Sequence, residues 1–296
     1  MTVDGLLLVD KPVGWTSHDA VSFMRKLIGE KRIGHTGTLD PGATGLLILL
    51  IGKASRLARY FEADDKEYQA AMRLGAETDT QDMEGKIVRE CPVPELDPED
   101  VLRVFGRFTG EIEQEPPMFS AIKHEGKPLY KMARAGQEVE RKLRRIKINA
   151  LELTGMDGPS ISFRVACSKG TYVRTLCRDM GIALGSCAHM ESLIRTRAGS
   201  YSLDNALKLE TRPSREDAIG KVVPLKAMLQ EVPSAVVTPL AAAGIKNGVS
   251  PSDGGFEANS DHDMHEGPIR LMDESGELLA MGETDGKSVS LRVVLV

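Results

Sequence analysis

Gly34-His35-Thr36-Gly37-Thr38-Leu39-Asp40-Pro41 sets one carboxylate into a Gly-rich loop between a helical pattern and the apolar run Leu46 to Ile51. An Asp before a Pro is commonly a turn former, because its side chain bonds nearby backbone and the following ring favours a turn. The glycines around Asp40 also allow unusual backbone angles and close approach of a ligand. Two readings of Asp40 therefore stand side by side, turn residue and reactive carboxylate.

The flanks of this stretch read as alternating elements. Leu6 to Val9 is a buried strand that enters a turn at Asp10-Lys11-Pro12. Ser17 is placed to cap a helix with Ala20, Val21, Met24, Leu27 and Ile28 on one face, ended by Gly29. Leu46 to Ile51 predicts a strand, residues 53–62 a short helix and Glu67 to Leu74 another strand. Asp97-Pro98 starts a helix, and Glu115-Pro116-Pro117 breaks the chain. A Gly-containing hairpin, a short helix and a basic run fill residues 119–150. Strands follow at Ile146 to Leu153, Ile161 to Cys167 and residues 191–197, with a helix over Thr171 to Leu184. Strands and helices mix without a βαβ rhythm, which predicts an α+β fold with a mixed, mainly antiparallel sheet flanked by helices. A boundary falls at Glu231-Val232-Pro233, and short β-like runs beyond it predict a small β-rich C-terminal domain.

Composition is that of an ordinary globular chain of 296 residues, 41% hydrophobic and 27% charged. The net charge of −5 hides an uneven distribution. Residues 123–147 hold nine Lys/Arg against three Asp/Glu, whereas residues 231–296 hold four against eleven. A local basic run is the footprint of a polyanion site or a solvated face. Cys91, Cys167, Cys177 and Cys187 form no C-x-x-C pair, which predicts free buried thiols in a reducing compartment. No secretory signal pattern is visible, and Leu46 to Ile51 is too short to span a bilayer. A Walker loop fails because Leu47 and Ala54 stand where Gly and Ser/Thr are required. A dinucleotide fingerprint fails for want of a strand before the glycines. Asp261, His262, Asp263, His265 and Glu266 have metal-capable groups but no periodicity to converge them, so no metal is expected there. Arg174, early in the helix after Gly170, offers Asp40 a planar donor fork. On residues alone these features reach a carboxylate site on a possible polyanion binder.

Longer ordered segments add a resemblance. Gly5-Leu6-Leu7-Leu8-Val9-Asp10-Lys11-Pro12-Val13-Gly14-Trp15-Thr16-Ser17, followed by the Gly34–Gly45 stretch, resembles the TruB-type tRNA pseudouridine-55 synthases. The likeness continues through Lys66-Glu67-Tyr68, Thr78-Asp79-Thr80, Pro116 to Ala121, Gly126 to Tyr130, Gly170 to Leu176 and Leu193 to Thr196. It implies a pseudouridine synthase catalytic domain over residues 1–231 and a PUA-like RNA-binding domain over 232–296. It implies isomerisation of uridine-55 in the TΨC arm of tRNA through a flipped base, without cofactor or metal. Asp40 matches the family's catalytic carboxylate, Arg174 its salt-bridge partner, Tyr68 the aromatic against the uracil and Leu193 an apolar wall. The resemblance further implies that Lys11 supports the catalytic loop and that His35 contacts the remodelled RNA loop. Lys123, Lys127, Arg141, Lys142, Arg144 and Arg145 lie where the family has an insertion that grips the T arm. A cytoplasmic monomer with tRNA as partner, no obligate protein partner and no membrane contact is the corresponding expectation.

Overall fold

The structure is a computed structural model that describes residues 3–62, 64–252, 254–257 and 266–296. Asp261, His262, Asp263 and His265 of the acidic cluster therefore lie outside the described residues. The elements that position the site begin with strand β1 (Gly5–Lys11), helix α1 (Ser17–Ile28), and strands β2 (Ile33–Thr36), β3 (Thr44–Ile51) and β4 (Lys66–Leu74). Helix α2 (Pro98–Phe108), strand β5 (Gly110–Gln114) and helix α3 (Leu129–Arg134) follow. Strands β6 (Arg144–Asp157) and β7 (Ser160–Cys167), helix α4 (Val173–Ala183) and strand β8 (Ala188–Ala198) complete the first body. The last stretch adds β9 (Ser234–Val236), α5 (Pro239–Lys246), β10 (Gly267–Met272), β11 (Leu278–Thr284) and β12 (Val289–Val294).

The large sheet runs β1-β3-β8-β4-β7-β6-β5, and the short segment Leu207–Lys208 lies beside β1. Two of its pairings are parallel, that of β3 with β8 and that of β1 with Leu207–Lys208. The other neighbours in this order are antiparallel, so the sheet is mixed and mainly antiparallel, as the sequence predicts. The apolar runs of β1 and β3 are continuous because both faces are covered. Leu7, Val9, Leu47, Leu49 and Ile51 face one core, shared with α1 and α4. Leu6, Leu8, Leu46, Ile48 and Leu50 face a second core. That second core also takes Met228, Leu229, Leu278, Met281 and Leu295. The small four-stranded sheet, β9-β10-β11-β12, thus packs on the large one through shared apolar side chains.

Several local expectations change. Gly34-His35-Thr36 is part of a strand rather than a loop, because β2 pairs antiparallel with β3 from Ile33↔Ile51 to Thr36↔Ile48. The cap of α1 is Thr16, whose hydroxyl accepts from Asp19 N at 3.0 Å while Asp19 closes the box on Thr16 N. Residues 52–62 form a 3₁₀ turn and then a short α-turn. Helix α5 adds an element to the β-like runs expected there. Its cap is Thr238, with Pro239 in the first turn.

The expectation of four free thiols fails for one pair. Cys91 and Cys187 are disulfide-bonded, with Cα atoms 5.6 Å apart. Gly75 brings them together, since it accepts from Cys91 N and donates to the Cys187 carbonyl. Their separation of 96 residues hid this contact from spacing arguments. Cys167 and Cys177 are free and buried.

Because the two sheets share a core, Met281→Ala should lower global stability by about 2–5 kcal/mol in one cooperative transition. Chemical unfolding followed by two probes checks this; two separate transitions would show that the sheets unfold independently.

Candidate active site

The loop that carries Asp40 runs from the end of β2 to the start of β3, and it is pinned on both sides of the carboxylate. Before it, Ser17 Oγ donates to the Leu39 carbonyl at 3.0 Å and accepts from Leu39 N at 2.9 Å. After it, the Pro41 carbonyl accepts from Gly14 N at 2.9 Å. Beneath it, the fully buried ammonium of Lys11 donates to the carbonyls of Pro12, Trp15 and Pro41 at 3.0, 2.6 and 3.4 Å. Asp40 is therefore a turn residue and also a side chain aimed by its surroundings.

One row across the sheet floors the site. Lys11 lies opposite Gly45, Gly45 opposite Arg195, Arg195 opposite Tyr68 and Tyr68 opposite Val165, each on the next strand. Cross-strand partners share a face, so this register brings Arg195 and Tyr68 together. Arg195 is 2% exposed and donates to the carbonyls of Leu46 at 2.7 Å and Gly37 at 2.8 Å. A side chain at Gly45 would place its Cβ 2.5 Å from the Arg195 carbonyl, and φ there is +96°. Glycine is required at that position. Burial pushes the Tyr68 phenol above its ordinary range, while the adjacent Arg195 guanidinium opposes the rise.

Arg174 supplies the wall opposite. Its side chain is 7% exposed, and its Nε lies 3.2 Å from Asp40 Oδ2. Its Nη1 reaches the Thr80 carbonyl at 3.1 Å and Asp82 Oδ2 at 3.4 Å, and its Nη2 reaches the Phe119 carbonyl at 3.0 Å. Asp82 is held in turn by the Thr80 hydroxyl and Glu84 N, both on its Oδ1. Asp40 is less enclosed, with 40% of its side chain exposed to the cleft. Burial raises its carboxyl above the usual 3.8; Arg174 opposes this, Asp82 adds to it, and Lys11 opposes it more weakly.

Asp40, Tyr68, Arg174 and Leu193 all line one cleft of about 500 Å³. Leu193 stands on β8 opposite Ala70 and is 8% exposed. Lys11 lies beneath the loop, outside the cleft wall. His35 sits on β2, also outside the wall, with its buried Nδ1 unpaired. Burial lowers the His35 pKa, helped by Arg195 and His18.

The basic residues divide. Lys123 and Lys127 stand exposed on a two-residue-per-strand hairpin before α3. Arg141 is drawn inward, with Glu115 at 3.3 Å, Glu138 at 3.8 Å and the Pro116 carbonyl at 3.4 Å. Lys142, Arg144 and Arg145 are exposed, but Arg144 and Arg145 are strand neighbours and point to opposite faces. Arg134 and Tyr130 of the same region reach the cleft wall. Sequence reasoning missed Asp82, Glu84 and Arg195 as wall residues. Asp82 lies two residues past the noted Thr78-Asp79-Thr80, and Arg195 lay inside the noted Leu193–Thr196, so position relative to a motif was the available signal.

Comparison with known proteins identifies a family. Residues 25–173 match the model of the TruB family pseudouridylate synthase N-terminal domain, and residues 174–236 match the tRNA pseudouridylate synthase B C-terminal domain. The chain belongs to the TruB family of pseudouridylate synthases. Among its relatives, the tRNA pseudouridine synthase B of Aromatoleum aromaticum is 43% identical, covering 96% of this chain and 90% of the relative. That of Ralstonia nicotianae is 48% identical over 78% of this chain and 75% of the relative. Among solved structures, a Cbf5-Nop10-Gar1 complex aligns with a TM-score of 0.74 at 26% identity, covering 99% of this chain and 85% of that chain. An H/ACA RNP bound to a substrate RNA containing 2′-deoxyuridine aligns with a TM-score of 0.73 at 25% identity, covering 100% and 86%. As a TruB family member the chain is an isomerase that converts uridine to pseudouridine in tRNA. Among the described residues no helix is long and apolar enough to cross a membrane.

Burial lowers the Lys11 pKa from 10.5 to about 8, against the pull of Asp40 and Glu84. Between pH 8 and 10.5 the unfolded chain holds a proton that the folded chain has released. Lys11 therefore costs stability below pH 8, and the cost fades as pH rises through 10.5. The stability of wild type minus that of Lys11→Met should rise by roughly 3 kcal/mol across this window. Urea unfolding at a series of pH values reads it, and a flat difference would refute the burial account.

Proposed function

We propose that this chain isomerises uridine-55 in the TΨC arm of tRNA, with Asp40 as the catalytic carboxylate and the target base flipped into the cleft. The observation that carries this reading is a loop carboxylate, 3.2 Å from a buried Arg174, exposed to a cleft walled by Tyr68 and Leu193. A uracil stacked in an RNA fold is out of reach of a side chain, so extrusion is required, at a cost of a few kcal/mol. Stacking on Tyr68 returns ~1–3 kcal/mol of that. The reaction breaks the bond from ribose C1′ to uracil N1, turns the base and joins C1′ to C5. The proton lost from C5 balances the one gained at N1, so no group enters or leaves overall.

Each side chain has a role in this scheme. Asp40 acts in its ionised form, and Arg174 keeps it ionised and directed against the effect of burial. Leu193 and Tyr68 confine the detached base. Arg195 fixes the Gly37 end of the loop and stands beside Tyr68. Lys123, Lys127, Lys142, Arg144 and Arg145 contact RNA phosphates, which makes binding fall with salt. Arg141, already paired to Glu115, holds the base of this region. His35 meets the opened RNA loop beside the cleft. Residues 232–296 form the PUA-like part, and their acidity limits them to a weak contribution to RNA grip. The protein acts as a monomer without an obligate protein partner.

Tritium release from a T-arm transcript carrying 5-tritiated uridine tests the reading, with a position-55 U→C transcript as control. Asp40→Asn should abolish release and leave RNA binding nearly unchanged; retained turnover would remove Asp40 from its role. Burial places the acid limb of the wild-type rate profile above the ordinary carboxylate value of 3.8. Arg174→Gln should move that limb further up in pH and cut the rate by at least about tenfold. An unmoved limb in a folded variant would separate Arg174 from Asp40.

A further inference from the structure

We propose that Gln114 is a positioning residue that ties the root of the basic excursion, residues 115–143, to the helix that presents Arg174. This rests on the catalytic reading above. Gln114 ends β5, where it pairs with Arg144 at the start of β6. The chain leaves the sheet immediately after Gln114 and rejoins it at Arg144, so this pair is the gate of the whole excursion.

The side chain of Gln114 points elsewhere, into the protein, and is 2% exposed. Its Oε1 accepts from Tyr172 N at 2.8 Å and its Nε2 donates to the Tyr172 carbonyl at 3.1 Å. One amide thus answers both backbone groups of a single residue, as a strand neighbour would. Tyr172 is the N-cap of α4, and Arg174 follows two residues later. A second tie lies inside the excursion, where Arg174 Nη2 donates to the Phe119 carbonyl and Ser120 O accepts from Tyr130 N. The excursion therefore reaches the Asp40 partner from two sides. RNA seated on the basic residues bears on the same backbone that aims Arg174, and Gln114 is the fixed end of that linkage. Loss of its amide leaves the sheet pairing intact and frees the first turn of α4.

The test uses the full chain with Gln114→Met and Gln114→Ala. Methionine keeps the length and packing but removes both hydrogen bonds. Both variants should bind the T-arm transcript within about twofold of wild type while the single-turnover rate of tritium release falls by about tenfold or more. The acid limb of the rate profile should move up in pH, because Arg174 faces Asp40 together with Asp82 and Lys11 and is the nearest cation to it. Rates and limb equal to wild type in Gln114→Met would overturn the proposal. So would a defect confined to RNA affinity with an unchanged saturating rate. Loss of fold in both variants, seen by thermal unfolding, would overturn it as well, since the residue would then be structural. Failure of the wild-type protein to form pseudouridine would instead overturn the catalytic reading on which this one rests.

Discussion

A guanidinium buried to 7% exposure must find partners for its donors, and Arg174 draws four separate segments together to do so. The loop supplies Asp40, the turn after the 76–78 strand supplies the Thr80 carbonyl and Asp82, the Pro-rich break supplies the Phe119 carbonyl, and α4 supplies the arginine itself. None of the three partner segments is regular at the point of contact. Their arrangement is fixed because leaving any donor dry and unpaired in this position is costly. Asp40 is held by this constraint as well as by its own pinned loop.

The floor of the site obeys a different rule, the pleat of a sheet. The row Lys11, Gly45, Arg195, Tyr68 and Val165 crosses five strands at one level. A large side chain at the second position would collide with the Arg195 backbone, so the β3 strand comes in close only because residue 45 is glycine. That approach leaves Arg195 lying under the loop, where it bonds the Gly37 carbonyl and stands beside Tyr68. Two buried arginines thus hold the same loop, one by its carboxylate and one by its backbone.

What the sequence disclosed follows from how local each signal is. The cap and apolar period of α1 and the Asp97-Pro98 start of α2 are local signals, and both helices form where read, although the capping hydroxyl of α1 is Thr16 and Ser17 is spent on Leu39. The continuous apolar character of β1 and β3 announced burial, but not that each face serves a different core. The strand nature of Gly34–Thr36 depends on β3 as partner and so left no local trace. The Cys91–Cys187 bond, the role of Asp82 in holding Arg174, and the Gln114 amide on Tyr172 are contacts across 96, 92 and 58 residues. Asp40 itself was visible as a carboxylate among glycines, while its partner had to be proposed from a separate motif.

Charge adds one further step. The body carries a basic excursion, and the cleft wall sets Asp40, Asp82 and Glu84 among cations, with the Asp82 charge raising Asp40, and Asp82 and Asp40 raising Glu84. Burial has already raised Asp40, and RNA phosphates entering the cleft would raise it further by the same electrostatic argument. The cations that resist this are internal: Arg174 and Lys11 are buried where salt screens them little, unlike the exposed lysines of the excursion. On the proposed function, the surface cations can therefore meet RNA phosphates while Arg174 and Lys11 stay with Asp40. In the proposed reading the exposed set draws in a polyanion, while Arg174 and Lys11 oppose the rise that burial imposes on Asp40.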